Sequence, residues 1–248
     1  MNRFSRNQMV FGAPVIQRLQ SASVAVFGLG GVGGAAAECL TRSGVGHLIL
    51  VDFDKIHSTN QNRQILSLDT TVGIPKTEVA AQRFIQINPE IRLTIFTEMA
   101  REEFNRYLQP TVDFVVDAID GCNPKVNLLV WCHEHGIPVI SCMGAGGRRR
   151  PADVQQSDLF ETRNCPLASR MRKFLRRRGI NQGIPVIHSL ETPAPTCNPD
   201  REEQSNHREE TGRIRQTIGS TPFIPIIMGA WAAAYAVNTL IDKWQLHE

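Results

Sequence analysis

Ser23-Val24-Ala25-Val26-Phe27-Gly28-Leu29-Gly30-Gly31-Val32-Gly33 decides the fold: five residues of strand character run straight into a glycine cluster that opens a helical segment. Glycines at a strand-to-helix turn leave backbone N–H groups and a helix N-terminus free to face a phosphate, because no Cβ stands in the way. Reading outward, Gly31–Ser43 has helical periodicity and His47–Val51 is a second strand. Lys76–Ile87 is a helix stopped by Asn88-Pro89, and further strands are expected at Arg92–Phe96, Phe114–Asp117 and Pro138–Cys142. Short apolar runs alternating with helices are the mark of βαβ units, so the class is α/β: a Rossmann-like, mostly parallel sheet flanked by helices.

Beyond Gly147 the pattern loosens into a C-terminal elaboration, with a short strand near Val154–Gln156, a basic helix from Pro166 to Arg178 and a strand near Pro185–Ser189. Glu191 to Arg213 is poor in apolar residues and reads as a long mobile loop. At 248 residues the chain suits a single domain spanning 1–248, with a nucleotide-binding part at 1–147 and a basic, substrate-binding part with a packing helix at 148–248. Phe223 to Ile241 carries no charge over 19 residues. Its Pro225, Gly229, Asn238 and alanine-rich centre favour a buried or subunit-packing helix over a membrane span. The six cysteines are scattered without a Cys-x-x-Cys pair, and the first residues lack a signal peptide's apolar core, so reduced thiols and a cytoplasmic location are expected.

The candidate chemistry gathers around the glycine turn. Gly28, Gly30, Gly31 and Gly33 would cradle a nucleotide, and Asp52, at the end of the second strand, would accept hydrogen bonds from ribose hydroxyls. So far a dinucleotide dehydrogenase and an ATP enzyme fit equally. Asp54, Asn60, Arg63, Gln64 and Lys76 separate them, since Arg63 and Lys76 can bind the phosphates of a triphosphate while Asn60 and Gln64 fix loop and ribose geometry. Asp120 stands just beyond another strand's carboxyl end, where a carboxylate can hold Mg²⁺ against those phosphates.

With these residues in place the sequence resembles the ubiquitin-activating-like adenylating enzymes, the group that includes the bacterial ThiF and MoeB proteins. The resemblance implies an ATP site formed by Gly30, Asp52, Asn60, Arg63, Lys76 and Asp120, with the metal on Asp120. It also implies that Arg6, in Arg3-Phe4-Ser5-Arg6, reaches into the partner subunit of a homodimer. Gly144-Ala145-Gly146-Gly147, Cys165-Pro166-Leu167-Ala168 and Gly219-Ser220-Thr221-Pro222-Phe223-Ile224-Pro225 are similar to segments of the tRNA threonylcarbamoyladenosine dehydratases within that group. That branch implies ATP-dependent cyclisation of threonylcarbamoyladenosine in tRNA through an acyl-adenylate. Sulfur-carrier activators usually hold zinc with paired Cys-x-x-Cys motifs, which this chain lacks, and Ile218 occupies a place where some dehydratase relatives have cysteine. A sulfur-transfer partner is therefore not expected.

Arg148 to Arg178 holds 10 Lys or Arg against 3 acidic residues. Arg148, Arg149, Arg150, Arg172, Lys173, Arg176, Arg177 and Arg178 are candidates to meet tRNA phosphates, the alternative being a solvated helix surface. Cys142 and Cys165 read as packed thiols, and His133-x-His135 puts two rings on different faces of a helix, which does not suit zinc. Adenylation of a carrier protein, a nicotinamide-dependent oxidoreductase and a non-catalytic RNA-binding scaffold stand as rival functions.

Overall fold

The computed structural model describes residues 3–100, 103–108, 112–195 and 218–244. Two short helices, α1 (Ser5–Phe11) and α2 (Ala13–Ser21), lead into β1 (Ser23–Phe27), α3 (Gly31–Ser43) and β2 (His47–Val51). Next come α4 (Lys76–Ile87), β3 (Arg92–Phe96), β4 (Phe114–Asp117), α5 (Cys122–Glu134) and β5 (Val139–Cys142). The last part holds β6 (Val154–Asp158), α6 (Pro166–Arg176), β7 (Pro185–Ser189) and α7 (Phe223–Trp244). The expected α/β class and strand positions hold, with the basic helix ending at Arg176. Of the expected 191–213 loop, 196–213 lies outside the described residues.

Seven strands form one sheet in the order β3-β2-β1-β4-β5-β7-β6. All neighbours are parallel except β6, which runs antiparallel to β7 along one edge. Alternate strand residues feed opposite cores. Val24, Val26, Leu48, Leu50 and Val116 pack with Leu40, Phe84, Met228 and Ala232 on one face, while Ala25, Phe27, Ile49 and Val115 pack with Leu128, Leu129 and Met171 on the other. Burial on both faces explains why the inner strands read as unbroken apolar runs.

α7 is long and apolar enough to cross a membrane, but half of the window that qualifies it is buried within the fold. It lies against α3 so closely that a Cβ on Gly229 would stand 2.3 Å from the Val32 carbonyl oxygen and 2.8 Å from Ala35 Cβ. The small residues of α3 and α7 thus let two helices meet along their backbones, which is the buried-helix role expected for this stretch.

The strand order reverses direction between β1 and β4. From β1 the chain winds outward through β2 to β3, and from β4 it winds the other way through β5, so the loops at the carboxyl ends of β1 and β4 splay apart. A crevice at that point is where open α/β sheets bind ligands. The glycine turn follows β1 and Asp120 follows β4, so the fold brings two separately read motifs to one crevice.

Candidate nucleotide site

The four turn glycines do different jobs. Gly28 holds φ +87°, and a Cβ on it would lie 2.6 Å from the Ala118 carbonyl oxygen; a Cβ on Gly33 would lie 1.7 Å from the Gly28 carbonyl oxygen. Gly31 is closed in by the Arg63 carbonyl oxygen and Pro225 Cβ, each 2.9 Å from where its Cβ would be. These three serve packing between strand, helix and the β4 loop. Gly30, the residue that caps α3, has nothing within 4 Å of that position, so the open approach to the helix N-terminus belongs to it.

Asp52 is buried and ties the turn to β2. Its Oδ2 accepts from the Leu29 backbone N–H at 2.5 Å and its Oδ1 from that of Asp54 at 2.8 Å. Burial pushes its carboxyl above the usual aspartate range, with the Lys76 charge opposing that rise. Lys76 is itself buried at the head of α4, with Nζ 2.6 Å from Asp54 Oδ2. One ammonium is thus held against one half-exposed carboxylate at the edge of the crevice.

Asn60 closes a 3-10 turn, accepting the His57 N–H on Oδ1 at 3.1 Å, which fits the expected loop-fixing role. Arg63 Nη1 donates to the Thr59 carbonyl and to Asn62 Oδ1, both at 2.8 Å. Both partners are neutral, and partial burial pulls the guanidinium below its ordinary pKa. A partly desolvated cation held, among the described residues, by neutral oxygens is suited to an incoming anion. Beside it, Gln64 is buried with an Oε1 that has no hydrogen-bond partner among the described residues, an acceptor to which a ribose hydroxyl can donate.

Asp120 is exposed at the β4 end; a cleft of about 760 Å³ is lined by Asn123 and Asn127 of the following helix together with Glu98, Met99 and Tyr107 among others. Beneath Asp120 lies a polar cluster that sequence reading missed. Lys125 is fully buried, with Nζ 2.9 Å from Asp117 Oδ2, 3.1 Å from the Ile119 carbonyl oxygen and 3.4 Å from that of Asp117. Ser141 Oγ donates to Asp117 Oδ2 at 2.6 Å, and the Ile119 N–H donates to Asp117 Oδ1 at 3.1 Å. These partners sit 8 and 24 residues apart in the chain, on α5 and β5, and no local pattern links them.

The basic segment divides. Arg148 is 3% exposed and donates to the carbonyls of Gly144, Gly146, Asn164 and Glu191, so it organises loops and is removed from the expected nucleic-acid face. Arg172 likewise turns inward to Thr162 and the Leu159 carbonyl. Arg150 pairs with Asp153 at 2.9 Å. Glu191 accepts the Arg149 and Arg150 backbone N–H groups at 2.8 Å each; the Arg150 bond is foremost in holding its carboxyl below the usual range. Arg149, Lys173, Arg176, Arg177 and Arg178 remain on the surface, with Arg176 over the Phe160 ring at 5.3 Å and Arg177 over Phe174 at 5.7 Å.

Arg6 is exposed on α1. Burial pushes the Cys142 thiol up to about 12, and Cys165 is buried at the head of α6, so both are packed thiols, as expected. His135 stacks on Trp131 with ring centroids 4.0 Å apart. Among the described residues no group of three His, Cys, Asp or Glu side chains is placed to hold a metal ion by itself.

Comparison with known proteins places the sequence and the fold. The chain is similar to the tRNA threonylcarbamoyladenosine dehydratase of Bacillus subtilis, 38% identical over 250 residues that cover 99% of this chain and 97% of that protein. Its fold matches that of the Escherichia coli tRNA N6-threonylcarbamoyladenosine dehydratase TcdA in complex with ATP, with a TM-score of 0.85 and 30% identity over 99% of this chain and 96% of the other. The Escherichia coli sulfur carrier protein ThiS adenylyltransferase is 35% identical, but over only 53% of each chain. The ThiF family model matches residues 4–247, and with this full-length agreement the chain belongs to the ThiF family.

Proposed function

We propose that this chain is an ATP-dependent tRNA threonylcarbamoyladenosine dehydratase acting through an acyl-adenylate. One observation carries the reading: the glycine turn after β1, which Asp52 binds through the Leu29 N–H and on whose Gly31 the Arg63 carbonyl closes, stands against the loop that leads from β4 to Asp120, at the β1/β4 reversal. The full-length match to dehydratases, against a half-length match to a carrier-protein adenylyltransferase, favours tRNA as the substrate.

A carboxylate resists attack because its leaving group is oxide. In this site the threonyl carboxylate oxygen attacks the ATP α-phosphorus and the bond to pyrophosphate breaks. The carbamoyl nitrogen or oxygen of the same side chain then attacks the acyl carbon and expels AMP, which carries away the carboxylate oxygen; one proton is released to solvent. No protein nucleophile takes part. Asp52 and Gln64 orient the ribose, Arg63 and Lys76 neutralise phosphate charge, and the α3 N-terminus at Gly30 receives a phosphate oxygen. The single carboxylate of Asp120 fits Mg²⁺, which takes one or two carboxylates with phosphates and waters as its other ligands. When bound, that ion screens the charge developing on pyrophosphate.

The active unit in this proposal is a homodimer. α7 turns a stripe of Phe223, Ile226, Ala230, Trp231 and Ala234 to the surface, and α1 exposes Met9 at 79% and Val10 at 77%. Apolar surface of this kind suits a second copy, whose Arg6 would complete the phosphate site. The exposed Arg149, Arg150, Lys173, Arg176, Arg177 and Arg178 would meet tRNA backbone phosphates in a cytoplasmic enzyme. Asp120→Ala is expected to cut AMP formation on threonylcarbamoyladenosine-bearing tRNA at least about a hundredfold, the scale of a lost phosphate-charge contact in catalysis. Full AMP formation by that variant would remove the metal role of Asp120.

A further inference from the structure

The β4 end is held by a buried ion pair where an apolar pair would serve stability at least as well, since burying two charges costs more desolvation than packing hydrocarbons of similar volume. What the ion pair does that hydrocarbon cannot is satisfy backbone groups. The Asp117 carboxylate takes the Ile119 N–H and the Ser141 hydroxyl, while Lys125 takes the carbonyls of Asp117 and Ile119. The carbonyls of residues 117 and 119 are thereby drawn inward to one ammonium, and Asp120, the next residue, is exposed. This segment also abuts the glycine turn: Ala118 N–H donates to the Phe27 carbonyl at 2.8 Å, and the Ala118 carbonyl oxygen closes over Gly28. Lys125 and Asp117 cancel in charge, so the clamp fixes geometry without repelling a cation from the crevice above it.

We propose that Lys125, Asp117 and Ser141 form a positioning clamp that sets the orientation of Asp120 toward a divalent cation and the nucleotide phosphates. This rests on the metal reading of Asp120, and the test separates the two. Lys125→Met alone would strand the Asp117 charge in the core, so the variant of choice is the paired Lys125→Met/Asp117→Asn, which removes both charges. Mn²⁺ binding is titrated by electron paramagnetic resonance in the presence of an ATP analogue with a methylene bridge between the α and β phosphates. The clamp predicts Mn²⁺ affinity weakened about tenfold, and analogue affinity in EDTA unchanged within about twofold, because outer groups that orient a ligand typically cost 10–100-fold in metal affinity. A clamp serving stability alone would lower the melting temperature and leave both constants as they are.

Asp120→Ala is the control arm. If it leaves Mn²⁺ affinity unchanged, the metal reading of Asp120 fails and the clamp proposal falls with it. If it weakens Mn²⁺ binding while the folded paired variant does not, the clamp proposal alone is overturned. Should the paired variant not fold, Ser141→Ala decides by the same titration: about threefold weaker Mn²⁺ binding, the low end of what one ordinary hydrogen bond is worth, supports the clamp, and no change overturns it.

Discussion

At the scale of single residues, the glycine turn separates a demand of packing from a demand of binding. Gly33→Ala would drive a methyl group into the Gly28 carbonyl, 1.7 Å away, whereas Gly30→Ala meets nothing. Gly33→Ala should therefore cost about 1–3 kcal/mol or more of stability by overpacking. Gly30→Ala should stay within about 1 kcal/mol of wild type, as expected for Ala replacing Gly at a helix cap, yet weaken ATP about tenfold by obstructing a charged hydrogen-bond site. Thermal melts beside calorimetric ATP titrations check both, and a stable Gly30→Ala with wild-type ATP affinity would show that no phosphate sits there. The strand-to-helix turn and the strand ends after which Asp52 and Asp120 stand were legible in the sequence, because glycine clusters mark tight turns and strands show as apolar runs. Arg148 was misread, since composition counts a charge without seeing the four carbonyls that surround it. Lys125 was invisible for the complementary reason: it looks like a surface residue of an ordinary helix until the fold brings Asp117 to it.

At the scale of elements, α3 is held on two sides by different physics. Its small residues meet α7 at Gly229, which is why α7 could be both long enough for a membrane and built for a core. Its Glu38 reaches α4, accepting from Arg83 Nε at 2.6 Å as well as from Arg42 within α3 at 2.8 Å. Burial alone would raise the Glu38 pKa, but the Arg83 and Arg42 bonds outweigh it and hold the carboxyl below the usual glutamate value. A carboxylate depressed in the folded state contributes stability above its unfolded pKa and loses it as pH falls through the folded one. Glu38→Gln should therefore cost about 0.5–1 kcal/mol at neutral pH, a modest figure because both arginines are partly exposed, and the difference should vanish in acid below the ordinary glutamate range. Urea unfolding of both proteins across pH checks this; a constant difference would locate the cost in packing. α1 and α2 escaped the sequence reading because short, largely polar segments carry weak periodicity, and only docking of Phe4, Val15, Ile16 and Leu19 on the core defines them.

At the scale of the whole molecule, the site is incomplete in one chain if Arg6 serves a partner. Mixing Arg6→Ala with Asp120→Ala subunits should then recover part of the activity, approaching a quarter of wild type if subunits exchange at random and one intact site per mixed dimer suffices. No recovery in exchanged dimers would confine Arg6 to its own chain. The central claim concerns the product, and mass analysis of nucleosides from threonylcarbamoyladenosine-bearing tRNA after incubation with the protein, Mg²⁺ and ATP tests it directly. The account predicts conversion of that nucleoside to a species lighter by one water, with AMP and pyrophosphate formed in step. An unchanged nucleoside mass beside a folded, ATP-binding protein would contradict it.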